Sequence, residues 1–369
     1  MEVIFLFDSS LSDIREKINN DERLSFEDGI HLLKCQDLLS IGQLADIVRQ
    51  KKNGDNVSFI INTHLNYTNV CYLGCKLCSF GLNENDSNAY TMSLEEIEKK
   101  VTDLSKKGFK EIHIVGGVNP KLPFEYYEEM IKVVKRLNPD IHIQGFTAVE
   151  LDYIAKIAGL TIKETVIRLK NAGIGSILGG GAEIFDSEIR KIISGHKTDS
   201  DRWFEIHEIT HNLGMKSNAS IIYGHIEQPE HVIDHLIRLR ELQDKTNGFN
   251  AFFGFAFHPD NTKLANEYNL KGETSGIYDL KMLAVARLML DNFAHIRAFW
   301  ISIGQKLAQV SLCFGVDDLD GTVMEEQIFH SAGSNSVQMI PKESFIKMIK
   351  DANRTPVERD TLYNTIKIY

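Results

Sequence analysis

The run Ser58-Phe-Ile-Ile-Asn62 leads within a few residues into Asn69-Val-Cys71-Tyr-Leu-Gly-Cys75-Lys-Leu-Cys78-Ser-Phe80. This strand followed by a cysteine-bearing loop opens a repeating pattern. Further β-rich segments lie at Glu111 to Val115, Ile141 to Gln144, Ser176 to Leu178, Lys216 to Ile222, Ala251 to Phe257, Ile296 to Trp300 and Val316 to Leu319. Amphipathic helical stretches separate them, such as Ser93 to Lys107 with Leu94, Ile97, Val101 and Leu104 on one face, and Glu230 to Asp244. Strands alternating with crossover helices predict a parallel sheet. Eight units at roughly 35 residues each suit an α/β fold of the (β/α)8 TIM-barrel type better than a doubly wound sheet.

Residues 1–55 read as a helical N-terminal extension. Ser10 and Ser12 are possible caps there, and Ser25 is placed to cap Phe26 to Leu33 with Asp28 at the third helical position. Residues 56–333 form the expected barrel, and residues 334–369 a helical tail packing on it, opening with a helix whose first turn carries Pro341 and Glu343. No Pro/Ser-rich linker or internal repeat divides the chain.

The composition, 43% hydrophobic and 25% charged over 369 residues, is that of a globular protein and excludes disordered, collagen-like and coiled-coil classes. A net charge of -10 without a basic block argues against nucleic-acid and anionic-membrane binding. Val3 to Phe7 is too short for a signal h-region and lacks a basic flank, so a cytoplasmic protein is expected. Five cysteines, an odd number, argue against a disulfide framework and turn attention to metal or redox chemistry. Cys35 and Cys313 read as small core residues on helices.

Cys71, Cys75 and Cys78 can each ligate a different iron of a cubane while Gly74 turns the loop, leaving the fourth iron without a protein ligand. The alternatives are buried free thiols or structural zinc, whose fourth ligand would have to be Cys35, Cys313 or a histidine such as His64. Other motifs also fall at predicted C-terminal strand ends, the active-site face of a barrel. They are His113-Ile-Val-Gly116-Gly117-Val118, Leu178-Gly-Gly-Gly181-Ala-Glu183, Ile221-Ile-Tyr223-Gly224-His225-Ile-Glu227 and Phe257-His258-Pro-Asp-Asn261. Each has a plain reading: a βα turn for the glycine pair, a solvated acid for Glu183, a satisfied structural histidine for His258.

The cysteine loop, with Leu77 before the third thiol, resembles the cluster motif of the radical S-adenosylmethionine (SAM) superfamily. The resemblance implies a [4Fe-4S] cluster on Cys71, Cys75 and Cys78 and SAM chelated at the open iron. It implies SAM contacts from Phe80, from Gly116 and Gly117 through their backbone (Val118 replaces the usual acid), and from Glu183 to ribose. The adenine-side motif is Tyr223, Gly224 and Glu227, with His258 on a further SAM-side loop. The stretches His64-Leu-Asn66-Tyr-Thr-Asn69, Ser217 to Glu227, Arg287-Leu-Met-Leu-Asp-Asn292, Asp317-Asp-Leu-Asp-Gly-Thr322 and Pro356 to Asn364 look like the aminofutalosine synthases of menaquinone biosynthesis, over residues 16 to 364.

Dehypoxanthine futalosine cyclases and deazaflavin-forming radical enzymes are the nearest alternatives. His258-Pro-Asp-Asn261 and the Asp-Asp-Leu-Asp-Gly turn side with the synthases. The implied reaction adds the 5′-deoxyadenosyl radical from SAM, consumed as co-substrate, to 3-[(1-carboxyvinyl)oxy]benzoate. Rearrangement and loss of a carboxyl group give 6-amino-6-deoxyfutalosine, with flavodoxin or ferredoxin as electron donor and Lys76 as one member of its docking patch. Two substrate carboxylates call for cationic or amide donors at the barrel mouth. Arg297, unless it is paired with an acid, and His64, Asn66, Asn218 and His225 are the candidates, and no general acid or base is assigned. A non-catalytic zinc or iron-sulfur protein is the reading from another class, and it leaves the glycine-rich strand ends unexplained.

Overall fold

The structure, a computed structural model, describes residues 9–369, so Val3 to Phe7 lies outside the described residues. Eleven strands form one sheet: β1 (Asn56–Ile60), β2 (Asn62–Leu65), β3 (Glu111–Ile114), β4 (His142–Thr147), β5 (Ser176–Leu178) and β6 (Lys216–Tyr223), then β7 (Phe249–Ala256), β8 (His295–Ala298), β9 (Asp318–Gly321), β10 (Thr355–Arg359) and β11 (Thr365–Ile368). β1 and β2 are one strand interrupted at Ile61. Its first half pairs in parallel with β9, Ser58 opposite Asp318, and its second half with β3, His64 opposite His113. A parallel bridge from Thr63 to Met324 completes the seam, so the eight parallel strands expected from the sequence curl round into a barrel.

The helices form where the pattern places them. Ser93 and Glu96 make a capping box at the start of Leu94–Ser105, which buries Ile97, Val101 and Leu104, and Ser25 with Asp28 does the same for Phe26–Lys34. The first α-helix among the described residues, Ser12–Asn19, instead has Leu11 at its cap position, with Ser12 as the first helical residue. Cys35 is buried, but Cys313 is exposed in the short 3-10 turn Ser311–Cys313, against the core position expected for it.

The largest departure is the tail. After the helix Lys342–Asp351 the chain does not stay helical: β10 runs parallel to β1 and β11 antiparallel to β10. The cause is an open edge: β3 pairs with β2 only, from Asn62 onward, so the edge of β1 opposite β9 is free along Asn56 to Phe59. β10 covers it and carries Arg359 to Asp318, with Nε 2.5 Å from Oδ2. The last barrel strand also starts later than expected, because Asp317 is occupied outside it by Arg287 and His295.

A histidine layer packs outside the barrel. His207 stacks on Trp203 at 3.7 Å, His235 stacks on Phe185 at 3.9 Å, and His207 and His211 both reach Ser217 Oγ. Burial holds His207 well below the ordinary histidine range and pushes His211 and His235 down to about 3. Their folded values lie below the unfolded value of about 6.5, so the stability they contribute is complete above that pH and is lost as pH falls. At pH 5 the loss is on the order of 2 kcal/mol per histidine. His235→Gln, which keeps an N–H toward the Ser220 carbonyl, should therefore flatten the fall in denaturant-derived stability between pH 7 and 5 by about 1–2 kcal/mol. An unchanged slope would remove His235 from the account.

Candidate active site

A cavity of about 270 Å³ opens at the C-terminal ends of the strands, and Cys71, Cys75 and Cys78 line one side of it. Their loop is tied down by its own backbone: Cys71 N–H donates to the Leu82 carbonyl (2.9 Å), Leu82 N–H to Asn69 O (2.8 Å), and Asn69 Nδ2 to Asn88 O (2.9 Å). Gly81 closes the loop over the thiols. A Cβ there would crowd Cys71 Cβ at 3.1 Å and touch the Cys71 and Cys78 sulfurs, so glycine leaves room beside this pair.

The three thiols are unpaired, and Cys35 and Cys313 lie outside the cavity. Among the described residues no three His, Cys, Asp or Glu side chains converge closely enough for a single metal ion. Three thiols spread around a shared space suit a polynuclear cluster, which takes one sulfur per iron. Burial pushes the Cys75 thiol up to about 11 and raises Cys78, so ligation there would release protons.

Gly116 and Gly117 bring the end of β3 against this loop. A Cβ on Gly116 would lie 2.9 Å from the Thr68 carbonyl, and one on Gly117 would collide with the carbonyl of Val70. Gly117 N–H donates to Thr68 O (2.8 Å) and Gly116 N–H to Glu150 Oε1 (3.0 Å), which leaves the carbonyls as the backbone groups for a ligand. Glu150 was not singled out from the sequence, although Thr147 and Glu150 are spaced as the capping box they form. Its buried carboxyl also accepts from Tyr67 Oη (2.9 Å), and burial raises its pKa.

Glu183 lines the cavity but is not solvated. It is buried in an ion pair with Lys197, with its backbone at φ +46°. Burial works against its charge, and Lys197 together with Arg190 outweighs that and holds the carboxyl below the ordinary range. Lys197, whose ammonium also acts on the Cys75 sulfur, carries no sequence signal: fourteen residues and the helix Ser187–Ser194 separate it from Glu183.

Of the remaining expected contacts, Phe80, His64 and His258 line the cavity, with His258 Nε2 held 2.9 Å from the Ser302 carbonyl. Tyr223 does not line it. Ile222 faces inward, so strand alternation turns Tyr223 outward, where its hydroxyl donates to Asp279 (3.0 Å). Glu227 orders its loop by accepting from Gly224 N–H (2.5 Å) and His225 N–H (2.8 Å), and neither Gly224, His225 nor Glu227 lines the cavity.

Asn66 is a clamp rather than a cavity donor: Nδ2 donates to Val115 O and Oδ1 accepts from Gln327 N–H. Asn218 is buried outside the cavity lining. Arg297 follows the plain alternative, with Nη1 3.0 Å from Asp320, Nε 3.3 Å from Asp318 and Nη2 3.0 Å from Tyr363 Oη. Two acids neutralise it, and it does not line the cavity. The group of this network that reaches the cavity is Asp320, whose pKa burial raises. The cavity is also lined by a wall of Phe253, Phe255, Phe299 and Phe329, whose successive rings lie 5.1–5.3 Å apart.

Removing one partner of a buried pair strands the other charge. Lys197→Met should cost about 3 kcal/mol in a denaturant titration, and the double variant Lys197→Met/Glu183→Gln should recover more than half of it. Strictly additive losses would show that the two groups are not coupled.

Residues 65–239 match the model of the radical SAM superfamily and residues 246–369 that of the CofH/MqnC C-terminal region. The chain is 42% identical to an aminodeoxyfutalosine synthase of Thermus thermophilus, over 98% of this chain and 97% of the relative. It is 39% identical to the enzyme of the same name from Streptomyces coelicolor, over 97% and 94%. A 5-amino-6-(D-ribitylamino)uracil–L-tyrosine 4-hydroxyphenyl transferase of Methanopyrus kandleri is 37% identical over 90% of both chains. Among solved structures, methylornithine synthase superposes with a TM-score of 0.71 at 19% identity, covering 94% of this chain and 97% of that one, a likeness of fold. The chain belongs to the radical SAM superfamily, as an enzyme that uses a [4Fe-4S] cluster and SAM, and within it to the relatives that carry the CofH/MqnC C-terminal region.

Proposed function

We propose that the protein acts as an aminofutalosine synthase. It joins the 5′-deoxyadenosyl carbon of SAM to the vinyl carbon of 3-[(1-carboxyvinyl)oxy]benzoate. Aryl migration, loss of the enol carboxyl as carbon dioxide and return of the electron used to cleave SAM then give 6-amino-6-deoxyfutalosine on the futalosine route to menaquinone, in the cytoplasm. The observation that carries this reading is the near-full-length similarity to two aminodeoxyfutalosine synthases. The archaeal transferases favour the deazaflavin-type alternative at lower identity.

Cys71, Cys75 and Cys78 would hold the cluster around the space that Gly81 leaves. On one-electron reduction, the bound cluster and SAM supply the deoxyadenosyl radical and methionine. The chain's own part is positioning and exclusion. The Gly116 and Gly117 carbonyls, the Glu183–Lys197 pair, Phe80 and His258 border the cysteine side, and the phenylalanine wall keeps water from the other. Flavodoxin or ferredoxin remains the proposed donor. Lys76 enters that surface already paired with Glu267 at 2.5 Å, so it offers less than a free charge. No described helix is long and apolar enough to cross a membrane.

Cys71→Ala, Cys75→Ala and Cys78→Ala should each lose iron and SAM cleavage, while Cys35→Ala and Cys313→Ala keep both. Iron loss from Cys313→Ala would overturn the three-ligand assignment. Reduced enzyme given adenosyl-labelled SAM and the enol ether should carry the label into an adenine-containing product, with methionine formed in parallel. Stoichiometric free 5′-deoxyadenosine, or turnover of dehypoxanthine futalosine, would sink the synthase reading and leave the superfamily assignment standing.

A further inference from the structure

We propose that His64 receives an aryl carboxylate, forming an imidazolium–carboxylate pair in the cavity that the phenylalanine rings also line. The choice of an aryl acid rests on the synthase reading above. His64 is 7% exposed and lines the cavity, yet both ring nitrogens are covered and neither Nδ1 nor Nε2 has a hydrogen-bond partner, so a carboxylate reaches one of them as the ring turns toward the cavity. Two empty ring nitrogens inside a protein are costly, and such exceptions concentrate where a ligand completes them.

The competing cations are already engaged. Arg297 is ion-paired with Asp318 and Asp320, and Lys197 with Glu183. His113 Nε2 lies 2.6 Å from Glu111, and His258 Nε2 is held by Ser302. Among the described residues lining the cavity, His64 is the one imidazole with neither nitrogen taken.

The acid that acts on His64, Glu111, and the acids Asp320 and Glu326 that line the same cavity are also committed. Glu111 is paired with His113, Asp320 lies beside Arg297, and Glu326 accepts from Ile328 and Phe329 N–H (2.6 and 2.9 Å) and from His330 (2.9 Å). The His113 ring stands 4.8 Å away, and His330 adds positive potential from the loop after β9. With burial foremost, these neighbours hold unliganded His64 neutral. An entering carboxylate supplies the missing counter-charge, so binding takes a proton from solvent onto His64 and no other bond changes. The rings of Phe253, Phe255, Phe299 and Phe329 give the aryl group a flat apolar surface in the same cavity.

The test is calorimetric titration of benzoate into the anaerobic, cluster-loaded, SAM-bound enzyme at pH 7.5, in two buffers of different ionisation enthalpy. Uptake of close to one proton is expected, with affinity falling about tenfold per pH unit above pH 7. Benzamide should bind at least tenfold more weakly and take up no proton. In His64→Gln, benzoate affinity should fall at least tenfold and the uptake should vanish, with iron content and SAM affinity unchanged. Uptake that survives in His64→Gln overturns the proposal, and so does benzoate affinity in the unmodified enzyme that is flat from pH 6.5 to 8.5, a result that needs no variant to fold. The synthase reading fails separately: proton-coupled benzoate binding without an adenine-containing product keeps this site and discards that reaction.

Discussion

The mouth of the barrel depends on the seam where the interrupted strand β1–β2 meets β9. Asn62 Oδ1 accepts from Val323 N–H (2.8 Å), and Thr322 Oγ1 donates to Asn62 O (2.7 Å) and accepts from Asn62 N–H (3.0 Å). A Cβ on Gly321 would lie 2.5 Å from both the Ile60 carbonyl and Asn62 Oδ1, so this approach requires glycine. The seam sets two loops side by side: the cysteine loop leaving β2, and the loop after β9 that carries Glu326 and Phe329. Each leaves a strand end that this backbone network fixes, so both sides of the cavity are placed by one set of hydrogen bonds.

Beneath the seam the tail completes the electrostatics. Asp318, Asp320, Arg297 and Arg359 are buried, with Tyr363 half-buried against them, and two of the five come from the tail. Burial opposes the charge on Asp318, yet the Arg359 and Arg297 guanidiniums hold its carboxyl down to about 2. Without Arg359, Asp318 and Asp320 would share Arg297 alone. A buried carboxylate left that way is strongly unfavourable, which makes β10 part of the barrel's charge balance as well as the cover of its edge.

What was legible in the sequence was what local chemistry decides. Ser25 and Asp28, or Ser93 and Glu96, cap helices through contacts three residues apart, and the strand alternation counted the barrel correctly. Side-chain direction was less legible. The glycine and acid around Tyr223 mark a turn, but whether Ile222 or Tyr223 enters the cavity depends on the pleat at the end of β6. Contacts between distant elements were invisible. Lys197 meets Glu183 only because the helix Ser187–Ser194 folds back, and Arg297 could be read as a mouth residue until β9 and the tail surrounded it.

The two sides of the cavity come from different stretches of chain. The thiols, the glycine pair and the Glu183–Lys197 pair lie between residues 65 and 239, whereas all four rings of the aromatic wall, Asp320 and Glu326 lie after residue 246. The first side is built from backbone close approaches and buried charge, which tolerate little change. The second is an apolar surface whose rings can be exchanged for others of similar volume at modest cost. The two sides can then vary independently, provided the seam keeps both loops in register. His64 sits on β2 at that seam, with its N–H 2.8 Å from the Met324 carbonyl, so its backbone is fixed by both sides while its ring is held by neither.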